Sequence, residues 1–364
     1  MRNHFDLIVA GAGIAGITSA AAAAGRGLKV ALVSTGPGSF VLGAGCVEVQ
    51  SMELGMPSLD ESMSFFRSLT DIAGCPFRGG PTEIRFIPTI LGSFQTVSLA
   101  PSTMWSGDPE AAAQVAVVGI KGLSSFDCNF VAERLAYHAA AMGRGSTYIA
   151  REIELPLEEG TVAGTLQFGN RFDRDLHFRQ ALRDALKPIA AKASLIILPG
   201  ILGLHSGVEQ IETLEKEIGC KLCELPTLPP SIPGMRLFNR LEAHLRRIGV
   251  EVFTGFPIQK LQIENGRCRS VLLDTPARPL ELSADAVILA TGPFSSRLLG
   301  SHFGVNSDLR PVDAAGALIA NNLYAAGAIL RSTSSARGGN AMAILTGYAV
   351  GMLVAGAGVQ YAQG

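Results

Sequence analysis

The stretch that most constrains the fold lies at residues 5–25, where a short apolar run leads through three spaced glycines into an alanine-rich segment. The glycines are Gly11, Gly13 and Gly16, at the spacing GxGxxG. This order is typical of a strand, a tight phosphate-binding turn and a helix. The first glycine permits the turn, the second lets the backbone approach a pyrophosphate, and the third lets the helix pack against the strand. Because a second apolar run follows at residues 28–33, the sequence predicts a dinucleotide-type α/β fold.

Composition limits the size, the partners and the compartment of the protein. The 364 residues are enough for two lobes around a cleft. Because 30 Lys and Arg residues nearly balance 31 Asp and Glu residues, no strong field attracts nucleic acid or an anionic membrane. The first strand begins where a signal peptide would stand, so we expect a cytoplasmic protein. A hydrophobic fraction of 48% with 17% charged residues indicates a subunit that covers part of its surface with partners.

The six cysteines are scattered, and we expect free thiols because disulfides are rare in the cytoplasm. Cys220 and Cys223 form a CxxC pair, which can be half of a zinc or iron–sulfur site. A four-thiolate site needs a second such pair, which the sequence lacks. We therefore predict no metal site.

The segment after the second predicted strand is expected to contact the same ligand as the glycine turn. Ser34 stands where a nucleotide-binding fold usually has Asp or Glu for the ribose hydroxyls. Small residues follow, which let the backbone lie flat against a ligand ring. They are Gly43, Ala44, Gly45 and Cys46. An ordinary surface turn is the other interpretation of this loop.

Two later motifs point to a flavin rather than a nicotinamide cofactor. A buried strand runs straight into Thr291 and Gly292 after a small antiparallel insert, which is typical of flavin-dependent oxidoreductases. Near the end, Gly327 and Ala328 follow another apolar run, and a glycine-rich turn precedes a long apolar helix. The residues of that turn are Arg337, Gly338, Gly339 and Asn340. Such a turn directs the positive end of a helix at the flavin pyrimidine ring, where it stabilises the anionic reduced ring.

A different unit separates these motifs along the chain. Residues 75–225 alternate predicted strands and helices, and the proline-rich segment 226–234 leads back to the first domain. We predict a Rossmann-like flavin-binding domain, of the glutathione-reductase or fumarate-reductase class, formed by residues 1–74 and 226–364. Residues 75–225 are predicted to be an inserted second α/β domain for substrate or partner. The uncharged segment 340–356 falls short of about 20 strongly apolar residues, so we predict a core helix there.

Three internal segments resemble the family of B subunits of bacterial anaerobic glycerol-3-phosphate dehydrogenases. They are VVGIKGLSSF at 117–126, LPTLPPSIPGMRL at 225–237, and LRP at 309–311 with NLYAAG at 322–327. The likeness covers nearly the whole chain. It implies a flavoprotein that uses FMN and works with an FAD-bearing catalytic subunit and an iron–sulfur, membrane-associated subunit. Together these would oxidise sn-glycerol 3-phosphate to dihydroxyacetone phosphate and pass electrons to quinone, at the inner face of the cell membrane.

Two departures bear on the site. The chain is short between Phe294 and Phe303, where the family usually carries a longer insert, so contacts made there are expected to differ. Ala328 stands where the closing motif of FAD enzymes normally has Asp for the ribityl chain. With Ser34, two carboxylates are missing. The sequence therefore predicts FMN, with FAD as the alternative.

No Ser–His–acid arrangement or metal-ligand spacing identifies a catalytic centre. The candidates are His205, which follows a strand where a base could stand, Arg236, which could bind a phosphate or a flavin, and Arg337, beside the glycine turn. Each has a structural interpretation as well. We therefore expect the flavin to relay electrons instead of oxidising the substrate itself. Two other functions stay open: a self-sufficient flavin dehydrogenase or reductase acting on a small hydroxy acid or enoate, and a non-redox scaffold.

Overall fold

The computed structural model describes residues 4–49, 57–109, 114–157, 164–293, 296–299, 303–332 and 339–356. The chain forms two compact units. Unit 1 consists of Met1–Ser39, Val47–Leu69 and Leu241–Gly364. Unit 2 consists of Phe40–Cys46 and Thr70–Arg240.

The secondary structure alternates strands and helices through most of the chain. The strands are β1 (His4–Ala10), β2 (Val30–Ser34), β3 (Phe77–Gly79), β4 (Arg85–Pro88), β5 (Phe94–Val97), β6 (Leu99–Pro101), β7 (Gln114–Ile120), β8 (Thr147–Ile153), β9 (Leu195–Pro199), β10 (Lys221–Leu225), β11 (Glu251–Thr254), β12 (Ile258–Glu264), β13 (Arg267–Leu273), β14 (Leu280–Leu289), β15 (Gly304–Val305), β16 (Pro311–Val312) and β17 (Leu323–Ala325). The helices are α1 (Ile14–Ala24), α2 (Pro57–Ile72), α3 (Ser102–Trp105), α4 (Cys128–Ala141), α5 (Thr165–Arg174), α6 (Leu176–Ala190), α7 (Val208–Ile218), α8 (Ile232–Arg247), α9 (Ser296–Leu299) and α10 (Asn340–Val354). Short 3-10 turns cover Gly38–Val41 and Gly327–Ser332.

The sheet of unit 1 has the strand order of a nucleotide-binding fold. Its parallel strands lie in the order β11, β2, β1, β14, β17, with Val9 of β1 opposite Leu32 of β2 and Ile288 of β14. β12 and β13 are antiparallel and extend the sheet beside the first half of β14. Numbered along the chain, the parallel strands read 3-2-1-4-5, so the order reverses between β1 and β14. Ligands of such sheets bind outside the carboxyl ends of the strands at this reversal.

Two helices of unit 1 pack closely through small residues. A Cβ atom at Gly347 of α10 would lie 2.4 Å from the Ala15 carbonyl oxygen of α1, and one at Gly351 would lie 2.7 Å from that of Ser19. The Ser19 hydroxyl also donates to the Gly347 carbonyl at 2.9 Å. Most of α10 is buried, as predicted for a core helix. Within the described ranges, none of the helices combines the length and apolarity that a membrane span requires.

Unit 2 is built on a second, fully parallel sheet. Its strands lie in the order β8, β7, β9, β10, with Val117 of β7 between Ala150 of β8 and Ile197 of β9. The helices between the strands contribute to an apolar core in which the rings of Phe168 and Phe178 stack at 5.8 Å. An α/β architecture was predicted for this part of the chain, and the alternation of helices and parallel strands is of that class.

The borders of the two units differ from the predicted domain borders. Residues 70–74, predicted for the flavin-binding domain, group with unit 2, and so do residues 40–46 and 226–240. Ser231 N–H donates to the Val41 carbonyl at 2.8 Å, and a Cβ atom at Gly234 would lie 2.0 Å from the Phe40 carbonyl oxygen. The rings of Phe40 and Phe238 are 5.8 Å apart. These contacts hold the two segments together, and they depend on residues almost 200 positions apart that no local pattern connects.

Candidate functional site

The carboxyl ends of four parallel strands of unit 1 bring together most of the predicted cofactor residues. The glycine turn follows β1, Ser34 ends β2, Thr291 comes soon after β14, and Gly327 soon after β17. Backbone hydrogen bonds join these ends: Gly11 N–H to the Val33 carbonyl at 2.7 Å, and Ala290 N–H to the Ala10 carbonyl at 2.7 Å. The candidate site is this edge of the sheet, at the reversal of strand order.

The three glycines of the turn have different surroundings, as their predicted roles require. Gly11 has φ +112°, and a Cβ atom there would lie 2.3 Å from the Ala290 carbonyl oxygen. A Cβ atom at Gly16 would lie 1.8 Å from the Gly11 carbonyl oxygen. At Gly13, no described residue other than its chain neighbours lies within 4 Å of the position a Cβ atom would take. Gly11 and Gly16 therefore allow the strand, turn and helix to pack closely. Gly13 leaves open space in front of the helix.

That open space faces the beginning of α1, which is suited to an anion. Gly13 is the N-cap of α1 and supplies no side-chain hydrogen bond to it, and the first turn of the helix contains no acidic residue. The first N–H groups of a helix lack partners within the helix and carry partial positive charge. A phosphate group in front of Gly13 would accept hydrogen bonds from these N–H groups and would be attracted by their positive charge.

Two buried hydroxyl groups at the same edge lack partners. Ser34 Oγ and Thr291 Oγ1 are buried and make no hydrogen bond to any described part of the chain. An unsatisfied buried polar group costs about 1–3 kcal/mol, so such groups mark places where a polar ligand is expected. Ser34 also fixes the edge through its carbonyl oxygen, which accepts from Gly255 N–H at 2.8 Å. The ribose hydroxyls and phosphates of a dinucleotide fit these residues.

The end of β17 leads into a turn that is tied to α10. Gly327 has φ +76°, and its N–H donates to the Thr346 hydroxyl at 2.9 Å. Gly339 is the N-cap of α10 with extended backbone and no capping side chain, and Asn340 begins the helix, whose first turn contains no acidic residue. This helix start therefore has the partial positive charge predicted for the flavin pyrimidine end. Arg337 and Gly338 lie outside the described residues, and Ala328 lies within the 3-10 turn.

The loop predicted to lie against a ligand ring groups with unit 2. Ala44 is buried in a small apolar cluster with Met104, and Gly45 has φ +80°. The Cys46 thiol is 3.9 Å from the Met104 sulfur, and burial raises its pKa to about 12. Gly43 has open space at its Cβ position. Flavin contact by this loop stays a prediction.

Arg236, a candidate for phosphate or flavin binding, is committed to structural contacts. Its side chain is 5% exposed, and it forms a two-pronged ion pair with the fully buried carboxylate of Glu224 at 2.8 and 2.9 Å. Its Nε–H donates to the Gly203 carbonyl at 2.8 Å, and Glu224 accepts from Leu202 N–H at 2.9 Å. The pair joins α8 to β10, and the bonds to Gly203 and Leu202 hold the loop after β9 against it. Because all three guanidinium nitrogens have protein partners, the geometry does not support the predicted ligand-binding role.

His205 lies in the loop after β9, as predicted, and is exposed. Its imidazole makes no hydrogen bond to any described residue, while its backbone N–H donates to Asp173 at 3.1 Å. Sequence reasoning missed Asp173, which also accepts from Leu204 N–H at 2.7 Å and from both N–H and hydroxyl of Ser206. Asp173 holds the His205 loop, and the sequence gives no signal of a contact across 31 residues.

The CxxC pair lies on the strand β10 and immediately before it. Residues three apart on a strand point to opposite faces, which separates the Cys220 and Cys223 thiols. Cys223 is fully buried with its sulfur 3.6 Å from the Met104 carbonyl oxygen, and burial raises its pKa. In the part of the chain that the structure describes, no three His, Cys, Asp or Glu side chains are grouped so that they could hold a metal ion.

Comparison with known families agrees with the geometry of this edge. A sequence model described as FAD binding domain matches residues 41–250 and 232–304, more than half of the chain. The chain belongs to this FAD-binding family. Its fold is therefore the Rossmann-like flavin-binding class that the sequence predicts. The family binds FAD, so the prediction of FMN as the first choice is not supported, and the flavin assigned by the family is FAD. The glycine turn precedes the matched region, and its assignment depends on the geometry described above.

Relatives with established names are similar over most of the chain. A protein of Halobacterium salinarum, named as the probable B subunit of an anaerobic glycerol-3-phosphate dehydrogenase, is 26% identical over 431 aligned positions, covering 98% of this chain and 99% of the relative. The B subunit of the anaerobic glycerol-3-phosphate dehydrogenase of Actinobacillus pleuropneumoniae is 24% identical, covering 82% of this chain and 77% of the relative. These relatives confirm the resemblance seen in the sequence. Because 431 positions exceed 364 residues, the first relative has segments that this chain lacks.

Among solved structures, Thermovibrio ammonificans THI4 matches 98% of this chain and 90% of its own length, with 11% identity and a TM-score of 0.35. A likeness at this level supports no conclusion about function. The predicted short segment before the closing motif begins at Phe294, which lies outside the described residues.

Proposed function

We propose that this chain is an FAD-bearing subunit of a glycerol 3-phosphate dehydrogenase. The observation that carries the proposal is the edge of the unit 1 sheet, where an open phosphate-binding turn and two unpartnered buried hydroxyls, of Ser34 and Thr291, converge. The substrate is taken from the names of relatives that align over 98% and 82% of the chain. As an oxidoreductase of an FAD-binding family, the chain depends on its cofactor for redox chemistry.

FAD supplies a ring system that accepts and releases a hydride or single electrons when bound. The chain's own residues bind and orient it. The start of α1 at Gly13 would receive the pyrophosphate, Ser34 would lie beside the ribose, and the start of α10 at Gly339 would stabilise negative charge at the pyrimidine end. Thr291 supplies a further hydroxyl between these positions along the strand ends.

The subunit names of the relatives support a multi-subunit enzyme. We propose that this chain relays electrons between a catalytic FAD-bearing subunit and an iron–sulfur, membrane-associated subunit, and that quinone is the final acceptor. The complex would then lie at the inner face of the cell membrane through its partners. The structure is compatible with a relay because the two described catalytic candidates offer no base: Arg236 is an ion-pair residue, and His205 has no partner that would orient its imidazole among the described residues.

The cofactor is tested by denaturing the purified chain and weighing the released flavin. An FAD mass at about one per chain supports the proposal. A clean FMN mass would restore the sequence-based choice of cofactor while leaving the fold assignment intact. A colourless chain that takes up no flavin would support the scaffold alternative.

The relay is tested by anaerobic addition of glycerol 3-phosphate to the isolated, flavin-loaded chain. We expect the flavin spectrum to stay oxidised until the catalytic partner subunit is added. Direct bleaching by glycerol 3-phosphate would refute the relay and assign oxidation to this chain. Bleaching by a small hydroxy acid, with none by glycerol 3-phosphate, would instead favour the self-sufficient dehydrogenase.

A further inference from the structure

Arg310 of unit 1 has an incomplete set of partners. Its Nη2–H donates to the Tyr324 hydroxyl at 3.3 Å, and the guanidinium carbon lies 5.2 Å from the centre of the Tyr324 ring. Its Nε–H is buried and has no hydrogen-bond partner among the described residues. Within the same residues, no carboxylate lies at ion-pairing distance from Arg310. The buried Arg236 shows the contrast, since its guanidinium is paired with Glu224.

The carboxylates nearest in sequence do not compensate this charge. Asp308 is exposed and forms no ion pair with a described residue, and Asp313 accepts the N–H groups of Ala315 and Ala317 in its own turn. A buried donor without a partner is destabilising, and more so when it is charged. An arginine that lacks a carboxylate partner and has an unpaired donor is expected where an anion from outside the chain binds to it.

The backbone holds Arg310 in place beside the strand end. Leu309 has φ +56°, in the left-handed region that a leucine rarely adopts. The Asn306 side chain accepts from Arg310 N–H at 2.9 Å, and the Leu309 carbonyl accepts from Ala325 N–H of β17 at 2.8 Å. These bonds fix Arg310 next to β17, which leads into Gly327 at the candidate flavin edge.

We infer that Arg310 and Tyr324 form a binding site for the phosphate group of a small phosphate ester. The Tyr324 hydroxyl accepts from Arg310 and keeps its own proton to donate, so the phenol and the free guanidinium N–H groups can serve one anion. A planar guanidinium matches the oxygens of phosphate, and hydrogen bonds between charged groups are the stronger ones. The ester itself, glycerol 3-phosphate, rests on the proposed function. The inference concerns binding and is independent of whether this flavin accepts the hydride.

The site is tested by calorimetric titration of the flavin-loaded 364-residue chain with glycerol 3-phosphate and, separately, with inorganic phosphate. Arg310→Gln is expected to weaken ester binding by at least about tenfold, the effect of losing one hydrogen bond to a charged group. Tyr324→Phe keeps the ring and removes one donor, so a smaller loss is expected. The matched control is Arg267→Gln, because Arg267 is an arginine of the same unit that already pairs with Asp285, at 3.7 Å. The affinity of the Arg267→Gln variant for the ester is expected to equal that of the wild type.

Several results would overturn the inference. They are no ester binding by the wild type, equal binding by wild type and Arg310→Gln, an equal loss in Arg267→Gln, or tighter binding of glycerate than of glycerol 3-phosphate. If circular dichroism shows that Arg310→Gln does not fold, the ester titration of Tyr324→Phe tests the site in its place. The mass of the released flavin separates the two proposals: FAD without ester binding refutes only the Arg310 site, whereas ester binding by a chain that takes up no flavin refutes only the proposed function.

Discussion

Gly13→Val is expected to abolish FAD retention while the chain still folds. Apart from the chain neighbours of Gly13, none of the described residues lies within 4 Å of the position that a Cβ atom there would take, and Gly13 has ordinary backbone angles, φ −76° and ψ −179°. The Cβ atom of the new side chain therefore meets no other part of the described chain. It fills the space in front of α1, where the pyrophosphate is expected to approach the backbone.

The size of the effect follows from the contacts that the valine side chain would block. Hydrogen bonds to a charged group contribute about 1.5–3 kcal/mol each, so losing about two N–H contacts to phosphate weakens FAD binding by about 10²- to 10⁴-fold. The folded apoprotein should lose far less. Gly13 supplies no side-chain cap to α1, and replacing glycine by valine at an N-cap is expected to cost less than about 1 kcal/mol.

The assay measures flavin absorbance per chain after gel filtration, with circular dichroism to follow unfolding. Gly164→Val is the matched control: Gly164 is the N-cap of α5 in unit 2, and none of the described residues beyond its chain neighbours lies within 4 Å of its Cβ position. The control should stay fully loaded. A stoichiometrically yellow Gly13→Val protein would show that this turn does not hold the cofactor.

Four further outcomes are expected. Ser34→Ala should leave the melting temperature of the apoprotein unchanged or raised, because Ser34 Oγ has no partner in the described chain. The same variant should bind FAD roughly two- to tenfold more weakly in a fluorescence titration. Equal FAD affinity would remove Ser34 from the site. Arg236→Met should lower the free energy of unfolding by about 3–5 kcal/mol by leaving a buried carboxylate unpaired, and denaturant titration showing less than about 1 kcal/mol would contradict this. The double variant Cys220→Ser, Cys223→Ser should keep its flavin content, metal content and activity, and loss of an iron signal in metal analysis would reveal a cluster. Burial and a neighbouring arginine lower the pKa of His244 from 6.5, so the folded state favours the neutral imidazole. The resulting contribution to the free energy of unfolding is complete above pH 6.5 and is lost as the pH falls through the lowered folded pKa. His244→Gln should therefore reduce the loss of stability at acid pH in unfolding experiments.

The sequence alone determined the parts of this protein that depend on local chemistry. The spacing of Gly11, Gly13 and Gly16 between two apolar runs predicts the strand, turn and helix that the structure shows, because Gly11 takes a positive φ in the turn and Gly16 packs against the Gly11 carbonyl. The apolar run before Thr291 predicts the strand that returns to the same edge. The uncharged segment at 340–356 predicts a core helix, because an uncharged segment of that composition has no solvated face.

Only the tertiary structure decided which side chains have partners. The sequence leaves Arg236 available for a ligand, but the fold pairs it with Glu224, and the fold also sets Asp173 to hold a loop 31 residues away. Arg310 and Ser34 gave the opposite result, since the fold buries donor or hydroxyl groups of both without providing a partner among the described residues. The physical reason is that the pairing of a polar side chain is set by strand register and by packing between distant segments. Sequence spacing fixes the local backbone, but it does not fix which distant atoms come within hydrogen-bond distance.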